Sequence, residues 1–508
     1  MKISTELFHF STSARQWLIG LLGCLLTIVH TSTLLAEQPN ILVFLSDDHS
    51  QVDSSLYGNT NIPTPNLELL ARDGMMFTHA FVASPSCAPS RAAMLTGLMP
   101  ARNGAEGNHE RPHPDVKSLI KNLQKAGYEV AAFGKVAHNN YAPQFGFDHI
   151  QTLGSIRVQH DVLLSAIKKY LESRDQNKPV CVFAGTGNPH VPWPDKSTFS
   201  TDQVELPPHN LDTPETRRHR AAYYEEIRGL DFLLGDLRSI ADQHLGDNTL
   251  FIYTSDHGSQ WPFGKWNLYD YGTRVPFVAA WKGTIAQGTQ SNAMISWVDL
   301  LPTLIDIGGG QTQADLDGRS FKQVLLGRVD RHRNKIFTTH TGDKRKNLFP
   351  MRSVRTRNWK LIHNVHPQWA HTNHSDIDRK PLAGAYWHEW ADLAKKDPQA
   401  KTIVDRYFRR DEFELFDLDK DPWEQNNLAE LLEHAERLAT MKTVLSSWMK
   451  DQGDTVKVKF KPRLLSDLKE WHPDFFEERL AREPQPPTNR NQKKRKNRNK
   501  KSDQPKNK

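Results

Sequence analysis

Apolar residues along the chain are bunched in short unbroken runs, separated by longer amphipathic stretches. Asn40–Ser46 reads NILVFLS, and similar runs fall at 128–133, 179–184, 249–254 and 276–280. A run without polar alternation suits a strand buried on both faces of a parallel sheet. Helical patterns lie between the runs: Pro65–Arg72, opened by Pro just after Thr64; 116–126, closed by Gly127; 223–244; and 297–307. Strand alternating with helix predicts an α/β fold with a mostly parallel central sheet flanked by helices. In such sheets ligands sit beyond the carboxyl ends of the strands. After about residue 330 the pattern changes. Runs at 335–340, 352–363 and Phe413–Asp417, followed by a helical 430–450, predict a smaller C-terminal α+β domain.

The two ends read differently from the body. Lys2 and Arg15 precede an apolar run at 17–29, and a polar stretch then ends in Leu34-Leu35-Ala36. This is the layout of an export signal, and the run is short for a membrane span; an uncleaved anchor is the alternative. The expected organisation is a signal peptide at 1–36, an α/β catalytic domain at 37–330, an α+β subdomain at 331–483 and a disordered basic tail at 484–508. The chain is expected to be exported, to a periplasmic, secreted or lysosome-like compartment.

Charge sharpens this division. The 508 residues carry 66 Lys+Arg and 59 Asp+Glu, a net +7. Residues 490–508 hold ten basic residues and one acid, Asp503, so the tail is +9 and the remainder −2 (7 less 9). No basic face is implied for the folded part, and nucleic acid is not an expected partner. The tail is a solvated segment or a tether to a polyanion such as a sulfated polysaccharide. Three cysteines exclude a disulfide framework and a multi-cysteine zinc cluster.

Candidate chemistry falls at the ends of the predicted strands. Asp47-Asp48 follows the first run, and Asp256-His257 follows 249–255. Two such pairs side by side make a divalent-cation site, because crowded carboxylates are costly without a cation. Hard oxygen ligands favour Ca²⁺, with Mg²⁺ the alternative. Either pair alone reads equally well as a helix cap or a loop acid. A third feature is Ser86-Cys87-Ala88-Pro89-Ser90-Arg91, continuing to Leu95-Thr96-Gly97.

Cys-x-Pro-Ser-Arg followed by Leu-Thr-Gly resembles the signature of the type I, formylglycine-dependent sulfatases. Gly134-Lys135-Val136-Ala137-His138 resembles that family's Gly-Lys-x-His element, with the longer spacing of iduronate-2-sulfatases. Asn188-Pro189-His190 and Lys265 stand where the family places sulfate-facing residues. Residues 350–355, 413–429 and Asn267-Leu268-Tyr269 resemble the sulfamidases (heparan N-sulfatases), although those commonly have Asp-Asn in place of Asp256-His257 and Arg in place of Lys265. The resemblance covers about residues 38–450.

The resemblance implies an alkaline-phosphatase-like fold and hydrolysis of sulfate esters or sulfamates of a sulfated carbohydrate. It implies that a formylglycine-generating maturation enzyme oxidises Cys87 to 3-oxoalanine (formylglycine), whose gem-diol attacks sulfur. Asp47, Asp48, Asp256, His257 and residue 87 would hold the cation. Arg91 would hold the hydrated residue, and Lys135, Lys265 and His190 would contact sulfate oxygens. His138 is the candidate base; His190, then Lys265, is the candidate proton donor. Softer substrate-binding candidates are His109, Arg111, His113, Trp193 and Trp266, together with the Trp- and His-rich stretch 366–390, because aromatic faces stack on sugars and His or Arg holds anions. Loop packing explains each of these equally well. A phosphonate or phosphodiester hydrolase of the same superfamily, and a non-catalytic polysaccharide-binding protein, are the competing readings.

Overall fold

The structure, a computed structural model, describes residues 38–153 and 159–467. The expected export signal and basic tail lie outside the described residues. The first part of the chain supplies β1 (Asn40–Ser46), β2 (Met75–Phe77), β3 (Ala80–Phe81), β4 (Glu129–Gly134), β5 (His149–Gln151), β6 (Val180–Gly185), β7 (Thr249–Ser255), β8 (Phe277–Trp281), β9 (Thr289–Ser291) and β10 (Ile295–Ser296). Eight of these form one sheet in the order β5-β4-β6-β1-β7-β8-β2-β9, and β3 pairs with β10. Pairing is parallel from β5 to β7; β8 runs antiparallel to both β7 and β2.

The two-sided burial of β1 explains its unbroken apolar run. Ile41, Val43 and Leu45 point into a core shared with α2 (Cys87–Thr96) and α5 (Leu300–Ile307). Leu42 and Phe44 point the other way, into a core shared with α1 (Pro65–Arg72), α3 (His160–Ser173) and α4 (Pro214–Leu245). Successive side chains of a strand face opposite ways, so a central strand between two helical layers has no polar side.

Two helices depart most from the sequence expectation. The helix expected over 116–126 is confined to Ile120–Lys125, because the backbone just before it is engaged elsewhere: His113 N–H bonds Asn103 C=O at 2.8 Å and Leu119 N–H bonds Leu95 C=O at 3.0 Å. Conversely, α4 begins nine residues before the expected start. Thr213 caps it, with Pro214 first and Thr213 Oγ1 accepting from Thr216 N–H at 3.3 Å.

The second part forms a four-stranded antiparallel sheet from β11 (Ile336–His340), β12 (Met351–Arg355), β13 (Trp359–Asn364) and β14 (Phe413–Asp417). On one face Val354, Leu361 and Leu415 meet Met441 and Leu445 of α8 (Ala435–Asp451). On the other, Met351, Ile362 and Phe416 join an aromatic core with Trp193, Trp261, α6 (Tyr386–Ala394) and α7 (Pro398–Phe408). Trp387 and Trp390 of the Trp-rich stretch are therefore packing residues, fully buried.

A buried ion network also joins the two sheets. Asp270, just before β8, receives Arg355 Nε at 3.2 Å and Nη2 at 3.1 Å, and pairs with Lys360, whose Nζ lies 2.7 Å from Glu424. Removing one partner of such a network strands an uncompensated charge. Asp270→Ala should lower unfolding stability by about 3–5 kcal/mol, read as a shift of the urea midpoint, while Lys282→Ala, which removes the exposed pair with Asp247, should shift that midpoint far less. Equal shifts for the two variants would contradict this account.

Candidate active site

The parallel register of β1 and β7 aligns Ser46 with Ser255. The next residues, Asp47-Asp48 and Asp256-His257, therefore emerge side by side at the carboxyl edge of the sheet. All four are fully buried. Asp48 adopts a left-handed backbone (φ 70°), rare outside glycine and costly. Its N–H bonds Asp256 Oδ1 at 3.1 Å. Beyond β6, β4 ends at Gly134, delivering Lys135 to the same edge, and a Cβ on Gly185 of β6 would sit 2.1 Å from Lys135 C=O. Only glycine permits that approach.

Cys87 is the first residue of α2, so the helix's positive end faces the cluster. Its Sγ lies 3.3 Å from His257 Nε2, 3.6 Å from Asp47 Oδ1 and 3.7 Å from Lys135 Nζ. One turn on, Arg91 passes beneath the site, with Nε 2.9 Å from Asp256 Oδ2 and Nη2 3.3 Å from Asp47 Oδ1. Lys135 pairs with Asp47, and Lys265 Nζ lies 2.9 Å from both Asp48 oxygens. His190 Nε2 faces Asp48 at 3.8 Å.

The donor set suits a cation. Oxygen, nitrogen and sulfur donors from Asp47, Cys87, Asp256 and His257 lie within 4.8 Å of one another. His257 Nδ1 sits 2.9 Å from Gly258 C=O. A carbonyl only accepts, so Nδ1 carries the hydrogen and Nε2 is aimed at the cluster, as in metal-ligating histidines. Burial would push the imidazole down, but Asp256, Asp48 and Cys87 outweigh it and hold it up at about 9. Burial lifts Asp48 to about 7 despite Lys265 and His257, with Asp47 and Cys87 adding to the rise. Burial opposes ionisation of Asp47 as well, yet Lys135, His190, Arg91 and Lys265 hold it well below the usual range.

Above the cluster opens a cavity of about 770 Å³, lined by Lys135, His138, His190, Lys265, Trp266 and His109, among others. His138 Nε2 lies 2.8 Å from His109 Nδ1. Its own Nδ1 is buried and without a hydrogen-bond partner. Burial, reinforced by Lys135, drives its pKa to about 3, so the ring is neutral.

The softer candidates divide. His109 and Trp266 line the cavity, and Trp266 is stacked on His374 at 5.1 Å. Trp193 is buried and stacked on Trp261 at 4.9 Å, with its N–H given to Pro189 C=O. Arg111 lies over Tyr141 at 4.2 Å, and neither it nor His113 lines the cavity. Sequence reasoning missed Asp343. From the loop after β11 it accepts Asn108 Nδ2 at 2.8 Å and lies 3.5 Å from His109 Nε2. Asn108 Oδ1 in turn accepts Ala88 N–H at 3.1 Å, at the head of α2. An acid in a loop of the second part, 256 residues from Cys87 in sequence, carries no local signal. Cys181 is buried in β6 and unpaired, as is Cys87.

The chain is similar to known proteins. The chain matches the Sulfatase family model over residues 39–310 and the model for the C-terminal region of N-sulphoglucosamine sulphohydrolase over 257–382. It is 32% identical to an ulvan-active sulfatase of Formosa agariphila, covering 84% of this chain and 83% of the relative. It is 28% identical to human N-sulphoglucosamine sulphohydrolase, covering 82% and 91% respectively. A solved protein in complex with its substrate D-glucosamine-2-N,6-O-disulfate superposes with a TM-score of 0.64 at 20% identity, covering 82% of this chain and 99% of that one. The chain therefore belongs to the sulfatase family and is a sulfuric ester hydrolase of alkaline-phosphatase-like fold.

Proposed function

We propose that this sulfatase removes sulfate from a sulfated carbohydrate, using formylglycine at position 87 and a divalent cation, Ca²⁺ or else Mg²⁺. The observation that carries the reading is the placement of the residue 87 side chain. It sits at the head of a helix, within 3.3–3.7 Å of His257, Asp47 and Lys135, beneath a cavity of sugar size. Named relatives act on ulvan or on N-sulphoglucosamine, which supports a carbohydrate substrate.

Formylglycine supplies a hydrate: one hydroxyl oxygen bonds to sulfur as the sugar oxygen or nitrogen leaves, and the other, once deprotonated, expels sulfate and restores the aldehyde. A cation held by Asp47, Asp48, Asp256 and His257 supplies charge that offsets repulsion between an anionic substrate and an electron-rich nucleophile. Arg91, pinned by two carboxylates, keeps the floor of the site rigid beneath residue 87. Lys135 and Lys265 present N–H groups to the sulfate oxygens. His138, neutral and with Nδ1 unengaged, can take the proton whose loss releases sulfate.

His190 first and Lys265 second are the candidate proton donors to the leaving group. His190 Nδ1 lies 2.6 Å from Val191 C=O, so that nitrogen carries the hydrogen. Burial, with help from Lys265, holds the ring well below its ordinary pKa and hence neutral. Nε2 therefore presents a lone pair and accepts. Burial works against the charge of Lys265, but Asp48, Cys87 and Asp47 raise its pKa well above the ordinary value, so it offers hydrogen bonds and gives up its proton less readily than a free ammonium.

Maturation by a formylglycine-generating enzyme, and export to the compartment where sulfated polysaccharide is met, belong to the same proposal. Peptide mass spectrometry across residues 80–100 of protein from its native host should find the Cys87 sulfur replaced by an aldehyde oxygen. A thiol throughout would end the formylglycine reading. His138→Ala should reduce kcat by about 10²–10⁴-fold while the fold persists. Metal stripping should abolish turnover, and Ca²⁺ at 100 times its Kd should restore it and add about 2.7 kcal/mol of stability; with Asp256→Asn that gain should shrink. A stability unchanged by either metal would remove the cation from the account.

A further inference from the structure

Beside the catalytic cavity lies a second, smaller one of about 140 Å³, and the two share Asn108 and His109. Its far walls come from the loop after β11, which gives Lys344, and from the C-terminal strap 457–460. The strap is tied down: Ala370 N–H bonds Arg463 C=O at 2.9 Å, and Leu465 N–H bonds Gln368 C=O at 3.1 Å.

The chemistry of this side cavity is unlike that of ordinary surface. Lys459 is engaged by Glu110 at 2.5 Å, so those two charges cancel. Lys344 and Lys457 are exposed and enter no ion pair among the described residues. The Phe460 ring is 41% exposed at the same place, beside Leu348. An aromatic face with two uncommitted ammonium groups matches a sugar ring bearing an anionic substituent.

Resting on the sulfatase reading above, we infer that this side cavity binds the neighbouring sugar residue of the substrate, and that this neighbour carries a carboxylate or a second sulfate. His109 stands at the junction, touching His138 on one side and lining the second cavity on the other. The protein is thereby fitted to an anionic chain, with the sulfate to be cleaved in the main cavity and the next charge at Lys344 and Lys457. Exposed lysines act through a screened field, so the contribution of this site falls as salt rises.

The test is direct binding, which does not require turnover. Full-length protein carrying Cys87→Ala is titrated calorimetrically with heparin-derived and ulvan-derived tetrasaccharides, with and without the further changes Lys344→Ala and Lys457→Ala. The added changes should weaken the Kd for at least one tetrasaccharide about tenfold or more at low salt, with the unfolding midpoint unmoved. Phe460→Ala should weaken it independently. In protein with intact Cys87, the Lys344 and Lys457 changes should raise KM for the tetrasaccharide that binds, leaving kcat in place. Equal affinity with and without the lysines, or no affinity for either chain, overturns the inference. Lysine-dependent binding without hydrolysis by the wild type would instead count against the sulfatase reading alone.

Discussion

The molecule is organised around a cost: three carboxylates, from Asp47, Asp48 and Asp256, are fully buried, with Asp47 within 4.8 Å of each of the other two. Taking even one such charge from water costs several kcal/mol unless it is compensated. Compensation arrives from separate elements: Arg91 from a helix, Lys135 from the end of β4 and Lys265 from the loop after β7. The balance is incomplete. Burial lifts the pKa of Asp48, and Asp256 and Asp48 lift that of His257 against burial, in a donor set that suits a divalent ion. The parallel register that brings Ser46 beside Ser255 thus does more than pair two strands; it creates an electrostatic problem whose solution is also the chemistry.

Rigidity follows from the same arrangement. Arg91 is bonded to both strand ends and accepts no role that would require it to move. The left-handed Asp48 is a backbone strain that persists because surrounding contacts determine it fully, and the close approach of Gly185 to Lys135 requires only the absence of a side chain. Asp343 extends this control outward. By holding Asn108 and His109 it couples the head of α2 to the base candidate His138, and it does so from the second part of the chain.

What could be read from the sequence tracks how local each determinant is. The central strands were legible because two-sided burial leaves no polar position in them, and the metal-facing acids because they follow those strands directly. The nucleophile stands in a contiguous motif. Short elements were not legible: β3 and β10 have two residues each, too few for any period to register. Residues 366–390 divide: His374 lines the cavity, whereas Trp387 and Trp390 do not. Tryptophan serves core packing and sugar stacking equally well, and only the fold reveals that Trp387 and Trp390 face α7 and the aromatic core rather than the cavity.

The same contrast separates reaction from specificity. Groups that act on sulfur cluster at the carboxyl edge of β1, β4 and β7, where strand register delivers Asp47, Asp48, Lys135, Asp256 and His257 and the head of α2 adds residue 87. Groups that would choose among sugars come from loops of both parts: Asn108 and His109 from the first, Asp343, Lys344 and His374 from the second, and Lys457 and Phe460 from the strap. Those loops sit on a wall anchored by the Asp270–Arg355–Lys360 network and the aromatic core. Loops on a rigid scaffold tolerate change that the scaffold does not. The arrangement therefore leaves the sulfur chemistry fixed while the identity of the sugar, and of its neighbours along a chain, is set by residues that the catalytic core does not constrain.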